Sequence, residues 1–200
     1  MPALVLTLVL ALAACSGGSD PSRPAVLADP GSLLRVQVTT ADVTAAVDPA
    51  PSFPDDVKAA VVAVLDRYLD LAVEAPLTSG KPADKEVGGV FTAPARARLA
   101  TADRAALLDE GLDAAPELRK GQAKAALTAL VLADGSIPVV VAHLTAELGN
   151  GVVAGGLRVS RTADLTLVRD GTAWRIDAYD VSVTRQVPGA APTTTTAKKS

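Results

Sequence analysis

Residues 157–183 read LRVSRTADLTLVRDGTAWRIDAYDVSV, and this stretch decides the fold that the sequence predicts. In its first half, apolar residues recur at nearly every second position with polar residues between them, which is the period of a half-buried antiparallel strand. After Asp170-Gly171 the alternation resumes, with Trp174, Ile176 and Ala178 on one face. A turn of this kind between two alternating runs predicts a hairpin, because glycine accepts the positive φ of a tight turn. We expect the rest of the chain to pack on this hairpin.

The elements before the hairpin predict helices that precede strands. A short strand at residues 33–38, with 43–47 as an extension after a break, leads to the clearest helix, which begins after Pro54 and is ended by Pro76. Shorter helices are predicted at residues 84–90, 95–100 and 102–109. Two strands follow at residues 117–132, where the alanines leave a helix as the competing interpretation, and 137–148. The prediction is an α+β fold, with N-terminal helices packed on a curved, cone-like antiparallel sheet of about four strands.

The composition excludes several classes of function. The formal net charge is −3 and the basic residues are scattered, which argues against a nucleic-acid partner. The chain has one Trp, two Tyr and two Phe, too few for base-stacking platforms. One His and one Cys exclude most zinc sites and an internal disulfide. We therefore expect no cofactor and no metal.

The N-terminus is typical of an exported protein. Residues 1–14 are apolar except for Thr7, and such a run is shorter than the roughly 20 residues that span a bilayer, so it predicts a signal peptide. Leu12-Ala13-Ala14-Cys15 and the Gly/Ser run after it resemble the lipobox of bacterial lipoproteins, although no Lys or Arg precedes the apolar run. The resemblance implies cleavage before Cys15, lipidation there, and anchoring on the extracytoplasmic face of the cell membrane, which more than one acyl chain makes stable. The alternative is a stray cysteine in an ordinary signal peptide.

This reading divides the chain into four segments. The signal peptide occupies residues 1–14, and the lipidated cysteine with a Gly/Ser/Pro-rich flexible linker occupies 15–30. A single α+β domain is predicted at 31–187, followed by a disordered Thr-rich tail at 188–200.

The order of elements, together with the run DGTAWRID at residues 170–177, resembles the nuclear transport factor two-like superfamily over roughly residues 54–187. Many lipoproteins and lipid-importer accessory proteins of actinobacteria look similar. The resemblance implies a cone in which a curved sheet wraps around helices. Five residues would line the mouth of that cone or, in the plainer interpretation, form core: Tyr68, Phe91, Leu144, Leu165 and Trp174.

Few residues carry candidate chemistry. Ketosteroid isomerases share this fold, and by that resemblance Tyr68 would donate to an oxyanion with Asp164 or Asp177 as the base. Asp66 and Asp70 are expected on a solvated helix face instead. His143 is expected to be a solvated sheet residue rather than a base or a ligand. The acids at 109, 110 and 113 indicate a solvated surface, and the Gly-rich residues 149–154 indicate a hairpin loop rather than a dinucleotide site.

The sequence contains no catalytic signature, so the first hypothesis is a binding or accessory domain. Its expected partners are the membrane, through the lipid anchor, and either an envelope protein or an apolar small molecule. The alternative is a small-molecule isomerase or hydrolase working inside the cone. A third hypothesis is a structural module of the envelope that uses the Thr-rich tail.

Overall fold

The computed structural model describes residues 32–46, 48–81, 84–99, 103–109, 118–150 and 156–199. The predicted signal peptide, Cys15, the predicted linker and most of the Gly-rich loop lie outside these residues. In chain order the described elements are β1 Val36–Ala45, α1 Asp55–Leu69, a π-helical turn Asp70–Glu74, α2 Ala75–Ser79, α3 Asp84–Val87, α4 Ala93–Arg98, α5 Arg104–Leu107, β2 Arg119–Val131, β3 Val139–Gly149, β4 Arg158–Asp170, β5 Ala173–Gln186 and β6 Thr193–Lys199. The predicted α+β class is confirmed.

The six strands form one sheet in chain order. β1 runs parallel to β2, and every later neighbour is antiparallel. Parallel pairing needs a crossover, and the helices between β1 and β2 supply it. The prediction of about four antiparallel strands behind N-terminal helices was therefore incomplete, because one strand precedes the helices and another follows the hairpin.

Strand β1 is continuous where a break was predicted. Val38 pairs with Ala125 and Thr40 with Ala126, so Thr39 is the extra residue of a β-bulge. The Thr39 hydroxyl donates to the Ala125 carbonyl over 3.2 Å. The break in the apolar pattern thus marks a bulge within one strand.

The Thr-rich tail forms an edge strand instead of a disordered segment. Residues 193–199 pair antiparallel with residues 179–185, and Ala197 is buried. The polar composition predicts disorder because few of these side chains can be buried. The free edge of β5 supplies hydrogen-bond partners for the backbone, and β-branched threonine suits a strand.

The long helix does not end at Pro76 as predicted. The Ala75 N–H donates to the Asp70 carbonyl five residues back, which defines the π-helical turn. Pro76 then lies in the first turn of α2. Proline is tolerated in a first helical turn because the N–H that it lacks would have no hydrogen-bond partner there. Gly80, with a φ of 68°, ends the helix.

The sheet has a buried face against the helices and a face open to solvent. Strands β2 to β5 alternate accordingly, with Leu127, Leu144 and Leu165 in the core. The alternation predicted through Ala178 breaks, because Leu167 pairs with Ile176 and Thr166 with Ala178. The extra residue is Asp177, and this bulge turns Tyr179 instead of Ala178 toward the core.

The three short helices lie near their predicted positions. Helices α3 and α5 are shorter than expected, and α4 has the expected six residues but begins two positions earlier. Thr92 caps α4, since its side chain accepts from the Ala95 N–H. Among the described helices, none has the length and apolar character needed to cross a bilayer.

Candidate functional site

The five residues predicted to line a cone are packed together as core in the described structure. Tyr68, Leu144 and Leu165 are fully buried, and Phe91 and Trp174 are 2% and 6% exposed. The Phe91 ring lies edge-on to Tyr68 at 5.9 Å and to Tyr179 at 6.2 Å between centroids. Four surface clefts formed by described residues contain none of the five.

A charged cluster is buried between the sheet and the helices. Arg161 Nη2 donates to Asp109 Oδ2 over 2.7 Å, and Arg185 donates to Asp109 Oδ1 from Nε at 2.9 Å and Nη2 at 2.6 Å. The side chains of Arg161, Arg185 and Asp109 are 1%, 8% and 0% exposed. One carboxylate thus neutralises part of the charge of two buried guanidinium groups, and each of its oxygens accepts from an arginine.

The hydroxyl of Tyr68 belongs to the same cluster. It accepts a hydrogen bond from Arg161 Nη1 at 2.5 Å and donates to the Leu107 carbonyl at 3.4 Å. Burial raises the pKa of Tyr68, so the group stays a neutral phenol. Because its one hydrogen points to a backbone oxygen, Tyr68 does not present a free donor to an oxyanion.

A second polar group lies beside the cluster. Tyr179 Oη and Arg98 Nε donate to the same oxygen, Asp103 Oδ2, over 2.8 and 2.7 Å. The hydrogen bond from Arg98 lowers the pKa of Asp103, while burial, followed by the bond to Asp103, raises the pKa of Tyr179 to about 12. Both tyrosines of the chain are therefore held as phenols by α5 and its flanking residues.

Two features bring the side chains of Arg161, Arg185 and Asp109 together: the arginines face the core side of their strands, and Asp109 has an unusual backbone conformation. Arg161 and Arg185 occupy core positions of β4 and β5, where Arg161 pairs with Val183 and Val159 with Arg185. Asp109 follows α5 with a φ of 47°, a left-handed conformation that aspartate tolerates better than most residues. The prediction of a solvated surface at Asp109 was wrong. The sequence did contain a signal for this cluster. Arg161 and Arg185 stand at strand positions where the alternation otherwise places apolar residues that face the core.

A solvated face was also predicted for the acids of the long helix, but these acids instead accept hydrogen bonds from the segment that leads into β1. Asp66 Oδ1 accepts from the Val36 N–H at 2.8 Å, and Glu74 accepts from the N–H groups of Leu33 at 2.8 Å and Leu34 at 2.5 Å. Burial raises the pKa of Asp66. Asp70 accepts from the Ser32 hydroxyl at 2.8 Å. The acids at every fourth position therefore hold the segment that leads into β1.

The remaining candidates, Asp164, Asp177 and His143, have hydrogen-bond partners other than Tyr68. His143 Nδ1 lies 2.7 Å from Asp164 Oδ1 on the solvent face, with 54% and 62% of the side chains exposed. This geometry agrees with the expected solvated sheet histidine. Asp177, at the bulge of β5, accepts from the Thr92 hydroxyl at 2.6 Å. No group of three or more His, Cys, Asp or Glu within the described ranges is placed to hold a metal ion.

With this geometry in view, similarity to known proteins adds nothing further. No protein-family model, curated protein or solved structure matches the chain. The resemblance to nuclear transport factor two-like proteins and the lipobox therefore stay predictions. The proposal of a function has to rest on the residues themselves.

The solvent face of the sheet carries an apolar patch near the β2–β3 turn. Leu130, Leu132 and Val141 are each 41% exposed. Val139, which pairs with both Leu130 and Val168, joins the group as a half-buried neighbour. We call these residues, Leu130, Leu132, Val139, Val141 and Val168, the apolar patch. Large apolar side chains gathered on an open sheet face are suited to contact with another protein.

Proposed function

We propose that this protein is a lipid-anchored domain on the extracytoplasmic face of the cell membrane, where it binds an envelope protein and catalyses no reaction. The lipobox at Cys15 supports the location, and the apolar patch supports the mode of binding. The observation that carries the proposal is the filled interior. The Tyr68 hydroxyl and the Asp109 carboxylate, the polar groups that a reaction would need there, are bound to arginines and backbone.

A protein partner fits the geometry better than an apolar small molecule. A small apolar ligand is usually held in a concave site that covers most of its surface. The five residues predicted to line such a site are buried against one another, whereas the apolar patch faces outward. A cone-shaped fold of the nuclear transport factor two-like kind stays part of this proposal, with its interior used for packing.

The enzyme alternative rests on one observation, the buried Asp109 carboxylate close to Tyr68. A general base has to accept a proton from a substrate within hydrogen-bond reach. Both oxygens of Asp109 already accept hydrogen bonds from arginines inside the protein. Asp164 lies on the solvent face beside His143, and Asp177 binds the Thr92 hydroxyl, so neither is placed to act as a base beside Tyr68. The contacts therefore favour a binding domain.

Replacement of Cys15 tests the anchor. The Cys15→Ala chain should move from the membrane fraction to the soluble extracytoplasmic fraction and should lose incorporation of radiolabelled palmitate. Ser16→Ala, a neighbouring small-residue change that spares the cysteine, should leave both readouts unchanged. A Cys15→Ala chain that stays on the membrane without a lipid would contradict the anchor.

A crosslinking experiment tests the apolar patch. A photoreactive amino acid at position 132 should form a crosslink to one envelope protein, and Leu130→Ser with Val141→Ser should abolish it. The matched control is Thr145→Ser with Thr162→Ser, on the same face of the same sheet. The identified partner, once purified, should bind the unaltered chain and not the patch variant. Equal binding by both would rule out the patch as the docking surface.

A further inference from the structure

A basic cleft lies at the end of the sheet where β2 and β4 begin and β3 ends. Its charged side chains are Arg119, Lys120, Arg158 and Glu147. Arg158 Nε lies 3.1 Å from Glu147 Oε1, and 56% of each side chain is exposed. Arg119 and Lys120 are exposed and form no ion pair with any residue in the described ranges. A local positive excess thus exists in a protein whose formal net charge is −3.

The wall of the cleft is fixed by close backbone packing. A Cβ atom at Gly121 would lie 2.1 Å from the Glu147 carbonyl oxygen, and one at Gly149 would lie 2.5 Å from that of Leu157. Glycine at both positions lets the strands approach this closely around the irregular pairing that follows Arg119. The basic side chains therefore project from a rigid base and not from a free loop.

The chain that leads to Cys15 leaves the domain beside this cleft. The Gly121 N–H donates to the Leu33 carbonyl over 3.0 Å, and Glu74 holds the N–H groups of Leu33 and Leu34. Residues 16–31 separate Ser32 from Cys15, and a linker of the kind that the sequence predicts for them would span roughly 20–24 Å on average. A lipid on Cys15 would keep this end of the domain close to the membrane.

The opposite end of the sheet has no comparable excess of basic side chains. Four exposed acids lie there, at the start of α1 and at the two hairpin turns: Asp55, Asp56, Asp134 and Asp170. Two of these acids form ion pairs, Asp55 with Lys58 and Asp170 with Arg175. An anionic surface would therefore attract the end that carries the cleft more strongly than this end. The position of the linker and the charge distribution therefore favour the same orientation.

We propose that the cleft of Arg119, Lys120 and Arg158 docks on anionic lipid headgroups and sets the orientation of the anchored domain on the membrane. This inference rests on the proposed lipid anchor and adds a second, electrostatic contact to it. Lipid anchors are commonly reinforced by basic residues in this way, and each basic side chain close to an anionic surface strengthens the contact about fivefold. In this orientation the apolar patch, which lies near the far end of β2 and β3, points away from the membrane.

Energy transfer from the lipidated protein to the membrane tests the orientation. Because Cys15 is the only cysteine and lipidation blocks its thiol, a single dye can be placed at Gln122→Cys, beside the cleft, or at Ala133→Cys, in the far turn. Each protein is reconstituted into vesicles of phosphatidylcholine with or without phosphatidylglycerol, both containing a headgroup-labelled acceptor lipid. We expect stronger transfer from position 122 than from position 133 in the anionic vesicles.

The controls separate charge from fold and from anchoring. The difference between the two positions should disappear in neutral vesicles, in about 1 M salt, where the screening length is about 3 Å, and in an Arg119→Gln, Lys120→Gln, Arg158→Gln variant. It should persist in Lys58→Gln, Arg169→Gln, Lys198→Gln, which removes the same charge elsewhere. Equal transfer from both positions in anionic vesicles, or a difference that survives loss of the cleft charges, would overturn the docking proposal. Failure of the anchor is distinguishable, because the protein would then not be recovered with the neutral vesicles.

Discussion

Two pairs of ionisable side chains on strand β4 have the same separation and opposite surroundings. Arg161 lies 2.7 Å from Asp109 on the buried face, and three residues further on Asp164 lies 2.7 Å from His143 on the solvent face. The first pair is 1% and 0% exposed, and the second is 62% exposed at Asp164 and 54% at His143. We expect the solvent around two ionisable groups to matter more than the distance between them for their contribution to stability.

The physical reason is desolvation. A buried charge has lost its water, and its remaining partners have to replace that solvation in a medium of low dielectric constant. Removal of one partner then leaves the other without compensation. An exposed charge that loses its partner is solvated again by water, so the loss is small. The predictions below probe this difference, beginning with the largest expected effect.

Asp109→Ala should produce the largest loss of stability. It leaves Arg161 and Arg185 buried without a carboxylate, and breaking such a network is expected to lower the free energy of unfolding by about 3–5 kcal/mol. Urea unfolding followed by the fluorescence of Trp174 measures the change. The matched variant Asp164→Ala should lose less than about 1 kcal/mol. Similar losses in both variants would contradict the role assigned to burial.

The same cluster shows where sequence reasoning reached its limit. The alternation in β4 predicts the strand and its buried face, and Arg161 stands in that face between Val159 and Ala163. An arginine there signals a buried partner but does not identify one. Asp109 lies 52 residues away in the chain, and its position depends on a left-handed φ after a four-residue helix. Local patterns carry no information on contacts of that kind.

The tail and the helix acids were missed for a related reason. Thr193–Lys199 has the composition of a disordered segment, and only the free edge of β5 makes it a strand. Asp66 and Glu74 have the spacing of a solvated helix face, and only the arrival of residues 33–36 turns them into hydrogen-bond acceptors. Local periodicity predicted the types of the main helix and of β2 to β5, whereas strand β6 and the partners of these acids depend on distant parts of the chain.

Alkaline pH should reveal the two buried phenols. The folded pKa of Tyr179 is raised to about 12, and that of Tyr68 is also raised, above the value near 10 of an unfolded chain. Their contribution to stability is therefore complete below about pH 10 and is lost as the pH rises toward 12. Absorbance at about 295 nm measures tyrosinate, and the chain has no other tyrosine.

The denatured protein is the control for this titration. In urea both tyrosines should ionise near pH 10. The folded protein should show little tyrosinate at that pH and a loss of stability at higher pH. Ionisation of one tyrosine near pH 10 without unfolding would indicate that its hydroxyl is accessible to solvent, and would count against the sealed interior on which the proposed function depends.

Glu74→Ala should have the next largest effect, because it tests a buried carboxylate that binds backbone instead of arginine. The N–H groups of Leu33 and Leu34 would lose their acceptor, with an expected loss of about 1–3 kcal/mol. Hydrogen exchange at these two amides should accelerate more than exchange in β3. Glu147→Ala, which removes an exposed glutamate, is the matched control and should change neither stability nor exchange at residues 33 and 34. If both variants behave alike, Glu74 does not anchor the start of β1.

His143→Ala should have the smallest effect and completes the comparison. Its bond to Asp164 is short, but water can replace either partner, so the change in the free energy of unfolding should stay below about 1 kcal/mol and shrink further in high salt. A double-mutant cycle of His143 and Asp164 isolates their coupling, and the same cycle of Arg161 and Asp109 should give a value several times larger. The two cycles involve the same strand and the same heavy-atom distance, so a difference between them reports burial together with the contacts that Arg185 and Tyr68 add to the buried pair. Equal couplings would mean that the pair length, and not the solvent, sets the strength of both contacts.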